Sequence, residues 1–218
     1  MASRLLVLAS SSPRRQELIP LLRLPWIIQV ADVDEDSVTH ADPATNVVET
    51  AKLKAASVAG FAPRNALIIG ADTTVALDGK MLNKPADEKE AREMLGSLRG
   101  RAHQVHTGIT VIDAESGRSV VDVCSVVVPM RNYSIAEIDA YIATGDPLDK
   151  AGAYAIQHPE FQPVERLEGC YATVVGLPLC HLVRALRNLG TDVSADVPSS
   201  CQEHHNYDCP IFDQILNA

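Results

Sequence analysis

The sequence predicts a mixed α/β fold organised on a mixed β-sheet, and three observations carry that prediction. Helical and strand-like segments alternate along the chain, but without the strict strand–helix–strand period of a doubly wound parallel sheet. Two long β segments, 103–113 and 119–129, are separated only by a short turn around Glu115-Ser-Gly117, which makes them an antiparallel ribbon. The 218 residues, 46% of them hydrophobic, suffice for one well-packed domain or two lobes sharing a sheet.

In chain order, residues 5–9 read as a short buried strand, Ser10 to Ser12 as a turn, and Pro13 as the first residue of a helix running to about Leu22 and capped by Ser12. Arg14 and Arg15 then fall in the first turn, where free N–H groups and the positive pole of the helix favour acids over cations. Two solvated arginines would account for a bare pair. The serine turn, proline and arginines together point instead to a bound phosphate, held by N–H groups, hydroxyls and guanidinium forks.

Residues 25–30 form a second strand and run into the acidic segment 32–36, a pattern usual for a solvated loop. From 43 to 59, Val47, Val48, Ala51, Ala55 and Val58 line one helical face. Lys52 falls towards solvent, and Lys54 to either side. Residues 66–77 are the most strand-like run, closed by the hairpin turn Asp78-Gly79. Asp72 interrupts that run, and burying it requires a cation, hydroxyl partners such as Thr73 and Thr74, or an open strand end.

Lys84-Pro85 precedes a helix from about 87 to 98, and the β-ribbon follows. His103 and His106 lie three apart on a strand and so face opposite ways, which rules out a shared metal. Residues 134–144 form an amphipathic helix with a Ser134–Glu137 capping box, and a turn-rich loop, 145–150, leads into 151–157. Two short strands, 162–167 and 171–175, and a last helix, 178–189, stopped by Gly190, complete the domain. The polar segment from Thr191 is expected to be flexible or loosely docked. Its Cys201, His204, His205 and Cys209 are zinc-ligand types without a standard spacing, and read as solvated residues.

A net charge of −9 disfavours duplex nucleic acid as a partner. Five cysteines, odd in number and without a Cys-x-x-Cys, read as a reduced intracellular protein. No apolar run approaches a membrane span, and none has the form of a signal peptide, so a soluble, cytoplasmic chain is expected.

The motifs at 8–15 (Leu-Ala-Ser-Ser-Ser-Pro-Arg-Arg), 70–73 (Gly-Ala-Asp-Thr), 84–85, 103–108 and 149–157 stand in the order and spacing of the Maf family. The chain closely resembles Maf-type nucleoside triphosphate pyrophosphatases over about residues 4–189, and five motifs in series are specific where one would be weak. The resemblance implies an elongated mixed sheet flanked by helices, with two lobes around a central cleft, as in inosine triphosphate pyrophosphatases. The implied reaction is metal-dependent hydrolysis of a nucleoside triphosphate to monophosphate and pyrophosphate, with Mg²⁺ or Mn²⁺ as cofactor and a homodimer as assembly. Residue by residue, Asp72 falls on the general base, Glu35 with Asp72 on the metal acids, and Ser10, Arg15, Lys54 and Lys84 on phosphate-binding groups.

Arg14, Thr73 and Gln157 match the branch associated with dTTP and UTP rather than the 7-methyl-GTP branch. A glutamine amide offers both donor and acceptor to a pyrimidine edge. Where many members have glycine, this chain has Ala155, which would be strained if that position required positive φ. Two alternatives stand beside this reading: a nucleotide-binding regulator of septum formation that does not turn over, and a purine-directed pyrophosphatase on the same fold.

Overall fold

The computed structural model of the chain describes residues 4–218. Its centre is a six-stranded mixed sheet formed by β1 (Leu5–Leu8), β2 (Trp26–Ile28), β3 (Ala66–Leu77), β4 (Lys80–Leu82), β5 (Ala102–Asp113) and β6 (Ser119–Pro129). The order is β2-β1-β3-β5-β6, with β4 paired to β3. β2, β1 and β3 run parallel, while β3, β5, β6 and the β3–β4 hairpin pair antiparallel. The mixed α/β class and mixed sheet are as expected from the sequence. The hairpin turn holds Asp78 at φ 51° and Gly79 at φ 79°, the left-handed pair that a two-residue turn between twisted strands requires.

Strand alternation sorts the core onto two faces. Leu6, Leu8, Leu67, Ile69 and Ala71 join the main core. Helices α1 (Pro13–Leu18), α3 (Glu88–Leu98), α4 (Ile135–Ile142), α5 (Tyr171–Val175) and α6 (Leu179–Asn188) contribute to that core. Val7, Ala9, Ala66 and Ile68 face the other way, against Ala55 and Val58 of α2 (Pro43–Ala59).

α2 lies unusually close to the sheet. A Cβ at Gly70 would collide with the Ala51 carbonyl, and one at Gly108 would stand 2.7 Å from Val47 and Val48 backbone atoms, so only glycine admits the helix at this depth.

One discontinuity in the sheet matters most. β1 pairs with β3 only as far as Leu8↔Ile69, and β4 begins its pairing at Val75↔Leu82. Along that side of β3, residues 70–74 have no strand beside them. The turn after β1 passes into this gap, at the carboxyl ends of the parallel strands, where open α/β sheets place their ligands.

Several local expectations are corrected. Ser12 occupies the N-cap position of α1 but makes no side-chain cap bond, and the first helix continues past Leu18 as a 3-10 turn, Ile19–Leu22. Residues 171–175 are helical rather than extended. A five-residue apolar run fits either state by pattern, and Gly176 at φ 115° closes the turn by donating its N–H to Ala172. The expected strand 162–167 reduces to an isolated bridge between Met130 and Val164.

The segment from Thr191 carries α7 (Val197–His205) and α8 (Phe212–Leu216), with Val193, Val197 and Ile215 buried. Cys201 and Cys209 are half-buried, not solvated, and line a small apolar cavity with Cys170, Cys180 and His205. The capping box of α4 forms as read. Positive φ in the 151–157 segment falls on Gly152 and Ala153, so Ala155 carries no such strain. Among the described residues, no helix is long and apolar enough to cross a membrane.

Candidate active site

Six of the predicted residues come together at the gap in the sheet, in two poles. Alternation along β3 sends Asp72 to the α2 side and Thr73 to the opposite side. Lys54, whose side chain α2 could have turned either way, points inward and is only 8% exposed. Its Nζ donates to Asp72 Oδ1 at 2.8 Å and lies 2.7 Å from Glu35 Oε2. Glu35 opens a 3-10 turn, Glu35–Ser37, in the acidic loop beyond β2. Lys52 is a surface residue paired with Glu49.

The second pole is Arg15, buried at 8% exposure although it sits in the first turn of α1. Its Nε donates to the Gly176 carbonyl at 2.8 Å, Nη1 to Ser10 Oγ at 3.2 Å, and Nη2 to Thr73 Oγ1 at 3.2 Å. Burial lowers its pKa, and the charges of Asp72 and Glu35 oppose that shift. An arginine so placed stays cationic. Three of its five N–H groups are taken, and two remain for an anion. Gly176 admits this packing because a Cβ there would stand 3.1 Å from Thr73 Oγ1 and 3.4 Å from Arg15 Nε.

A half-exposed acid pair bridged by an ammonium therefore stands beside a buried guanidinium, in a gap left by the strands. The family model described as Maf-like protein matches residues 5–189. This chain belongs to the Maf-like family.

The relatives of this Maf-like chain are similar over nearly their whole length. A protein of Desulforamulus reducens named dTTP/UTP pyrophosphatase is 43% identical over 190 residues, 87% of this chain and 99% of its own. A protein of the same name from Pelotomaculum thermopropionicum is 46% identical over 188 residues, 86% of this chain and 98% of its own. Among solved structures, the Staphylococcus aureus Ham1 protein aligns at a TM-score of 0.43 and 16% identity, over 59% of this chain and 73% of that one.

Three further residues read from the sequence of this Maf-like protein do not join the bonded network of the two poles. Arg14 is half-buried, and its Nη1 stands 3.7 Å from Asp149 Oδ2, tying α1 to the loop that leads to Gln157. Gln157 and Lys84 are exposed, and Lys84 makes no ion pair among the described residues. Lys150 of the same loop is buried and fully engaged by Asp146 and Asp149.

His103 and His106 each have their own partner, Tyr154 Oη at 2.8 Å and Ser125 Oγ at 2.7 Å. Among the described residues, no three His, Cys, Asp or Glu side chains group as metal ligands. A cation at this site would therefore rest on the two acids Asp72 and Glu35. Both carboxylates already converge on one positive charge, and such a sparse donor set suits Mg²⁺, which retains waters and takes substrate oxygens. The sequence reading passed over Thr107, Thr173 and the Gly176 carbonyl. For Thr107 the signal was present, since it lies within the 103–108 motif directly opposite Thr73.

Proposed function

We propose that this Maf-like protein hydrolyses nucleoside triphosphates, with dTTP and UTP preferred, to the monophosphate and pyrophosphate by attack of water at the α-phosphorus. The observation that carries the reading is the juxtaposition of Lys54, Asp72 and Glu35 with buried Arg15 at the sheet gap. A triphosphate of about four negative charges needs both charge neutralisation and an aligned nucleophile. Relatives named dTTP/UTP pyrophosphatase and the residues Arg14, Thr73 and Gln157 support the pyrimidine preference.

Arg15, fixed by protein acceptors, holds phosphate oxygens through its two free N–H groups, with Ser10 beside it. Lys54 offers a second positive charge from the α2 side, and Lys84 a third from the rim. Asp72 orients the attacking water, either as the acceptor of its proton or by holding a cation-bound water. Asp72 and Glu35 would hold Mg²⁺ or Mn²⁺, which when bound supplies neutralisation of the phosphates and a more acidic water. Gln157, exposed at the end of the 149–157 loop, is the residue assigned to the base in this reading.

The test is pyrophosphate release by purified protein from dTTP, UTP, CTP, GTP, ATP and 7-methyl-GTP, with Mg²⁺ or Mn²⁺ and an EDTA control. Metal-dependent release favouring dTTP and UTP is expected. Preference for 7-methyl-GTP overturns the substrate assignment, and no release from folded protein overturns the reaction.

A further inference from the structure

Thr107 lies in β5, fully buried, with its backbone opposite Thr73 of β3. Its Oγ1 donates to the Thr173 carbonyl at 2.7 Å and stands 2.8 Å from Thr73 Oγ1. A hydroxyl has one proton. Because Thr107 gives its proton to Thr173, the Thr73 hydroxyl must be the donor between the two threonines. The lone pairs of Thr73 then face Arg15 Nη2, which donates to it at 3.2 Å. The bonds thus have one direction: Arg15 N–H to Thr73, Thr73 O–H to Thr107, and Thr107 O–H to the Thr173 carbonyl.

The chain of bonds returns to the element that fixes the other side of the guanidinium. Thr173 lies in α5, and Gly176, whose carbonyl accepts from Arg15 Nε, closes that helix. The ring of contacts sets the plane of the guanidinium, and hence where its two free N–H groups point.

We propose that Thr107 is a positioning residue for phosphate binding: it orients the Thr73 hydroxyl as an acceptor for Arg15 and so holds the guanidinium in its anion-binding orientation. The inference rests on the proposed reaction for its kinetic readout, but not for its binding readout. Thr107→Val keeps the shape and removes the hydroxyl, leaving the Thr73 proton without its acceptor, so that the Thr73 hydroxyl is no longer held with its lone pairs on Arg15. Thr107→Ser retains the hydroxyl.

The experiment measures KM and kcat for dTTP and UTP, and the calorimetric Kd of inorganic pyrophosphate, in wild type, Thr107→Val, Thr107→Ser, Arg15→Ala and the double variant Arg15→Ala/Thr107→Val. Thr107→Val is expected to raise KM and the pyrophosphate Kd about tenfold while kcat changes little, the scale set by one lost hydrogen bond to a charged group. Thr107→Ser should restore both. In the Arg15→Ala background the valine should add nothing, since its effect passes through Arg15.

A Thr107→Val protein with wild-type KM and Kd overturns the proposal, as does one that loses kcat alone, the pattern of a reduced folded fraction. If Thr107→Val does not fold, Thr73→Val is read by pyrophosphate binding alone: it removes the acceptor of Arg15 Nη2 and should raise the pyrophosphate Kd by a similar factor, and a wild-type Kd there is equally fatal. Wild-type protein that binds pyrophosphate but releases none from any nucleotide refutes the reaction and leaves the Kd comparison to decide the positioning role. Wild-type protein that does neither refutes both.

Discussion

Lys54 Nζ stands 2.8 Å from Asp72 Oδ1, joining the helix that covers one sheet face to the strand that crosses the gap. The contact reconciles two side chains that are each costly to bury alone. It also keeps an acid and a cation within one bond of each other at the place where a phosphate and a nucleophile would have to be brought together.

Asp72→Asn is therefore expected to lower kcat by roughly 10² or more, since a positioned proton acceptor contributes on that scale. Melting temperature should change little, because Asn retains a carbonyl acceptor for Lys54 and Glu35 still neutralises the ammonium. Near-wild-type turnover in a pyrophosphate-release assay would remove Asp72 from the chemistry. A cell-division phenotype that persists with hydrolysis abolished would favour the regulator.

Arg15→Lys tests whether fork geometry matters or only charge. A lysine cannot bond the Gly176 carbonyl, Ser10 and Thr73 together with an anion, because it has three donors on one atom. The expected outcome is a KM for dTTP raised about tenfold or more, with a smaller change in kcat. Steady-state kinetics showing wild-type KM would mean that the guanidinium is structural.

Most of the fold could be read from the sequence because its signals are local. The residue range of α2 follows from its apolar period, β3 from a strand-like run that ends at a hairpin turn, and the ribbon from its length. The failures were short segments. Residues 171–175 are too few for a period to declare itself, and their helical state depends on burial of Ala172, Thr173 and Val175 together with left-handed Gly176.

The candidate site divides in the same way. Arg15 and Asp72 stood out because each violates a local preference, a cation at a helix start and an acid in a strand. Lys54 did not, since helical geometry leaves its direction to the tertiary packing of Gly70 and Gly108 under α2. Thr107 and the Gly176 carbonyl act through partners 34 to 161 residues distant, which no local pattern encodes.

Gln157→Glu addresses substrate choice. The side chain is exposed at the end of the loop that Asp149 ties to Arg14, so the change should cost little stability. A carboxylate loses the amide donor and repels the phosphates, and the ratio of kcat/KM for dTTP and UTP over GTP should fall by about tenfold. An unchanged ratio across the nucleotide panel would refute the role of Gln157 in selectivity.

Gly70→Ala probes the closeness of α2. The added methyl would collide with the Ala51 carbonyl and stand 2.9 Å from Ala55 N, and both are backbone atoms that cannot rotate away. Overpacking of this kind costs about 1–3 kcal/mol or more, read as a lower midpoint in urea. If the helix shifts outward, it takes Lys54 off Asp72, and the surviving folded protein should lose kcat/KM as well. Unaltered stability and activity would mean that α2 sits farther from the sheet.

The last prediction concerns pH. Burial pushes His103 down to about 4, and His205 likewise, while burial lowers His106 despite the opposing charge of Asp42. These rings are neutral in the folded protein at pH values where the unfolded chain, titrating near 6.5, takes up protons. Between those values the unfolded state binds more protons, so stability rises with pH, and it is lost as pH falls from about 6.5 towards 4. Glu137, held down to about 2 by the Ser134 backbone, Arg131 and the Ser134 hydroxyl, keeps its share above the unfolded value of 4.5 and loses it as pH falls from there towards 2, so it adds little between pH 7 and pH 5. From pH 7 to pH 5, His103 alone should account for a loss of about 2 kcal/mol. His103→Gln keeps a polar group near Tyr154 but does not titrate, so its unfolding free energy by urea titration should fall less over the same interval than that of wild type. Parallel pH curves for the two proteins would show that His103 is protonated in the fold at pH 5 and that its burial is not what sets the acid sensitivity.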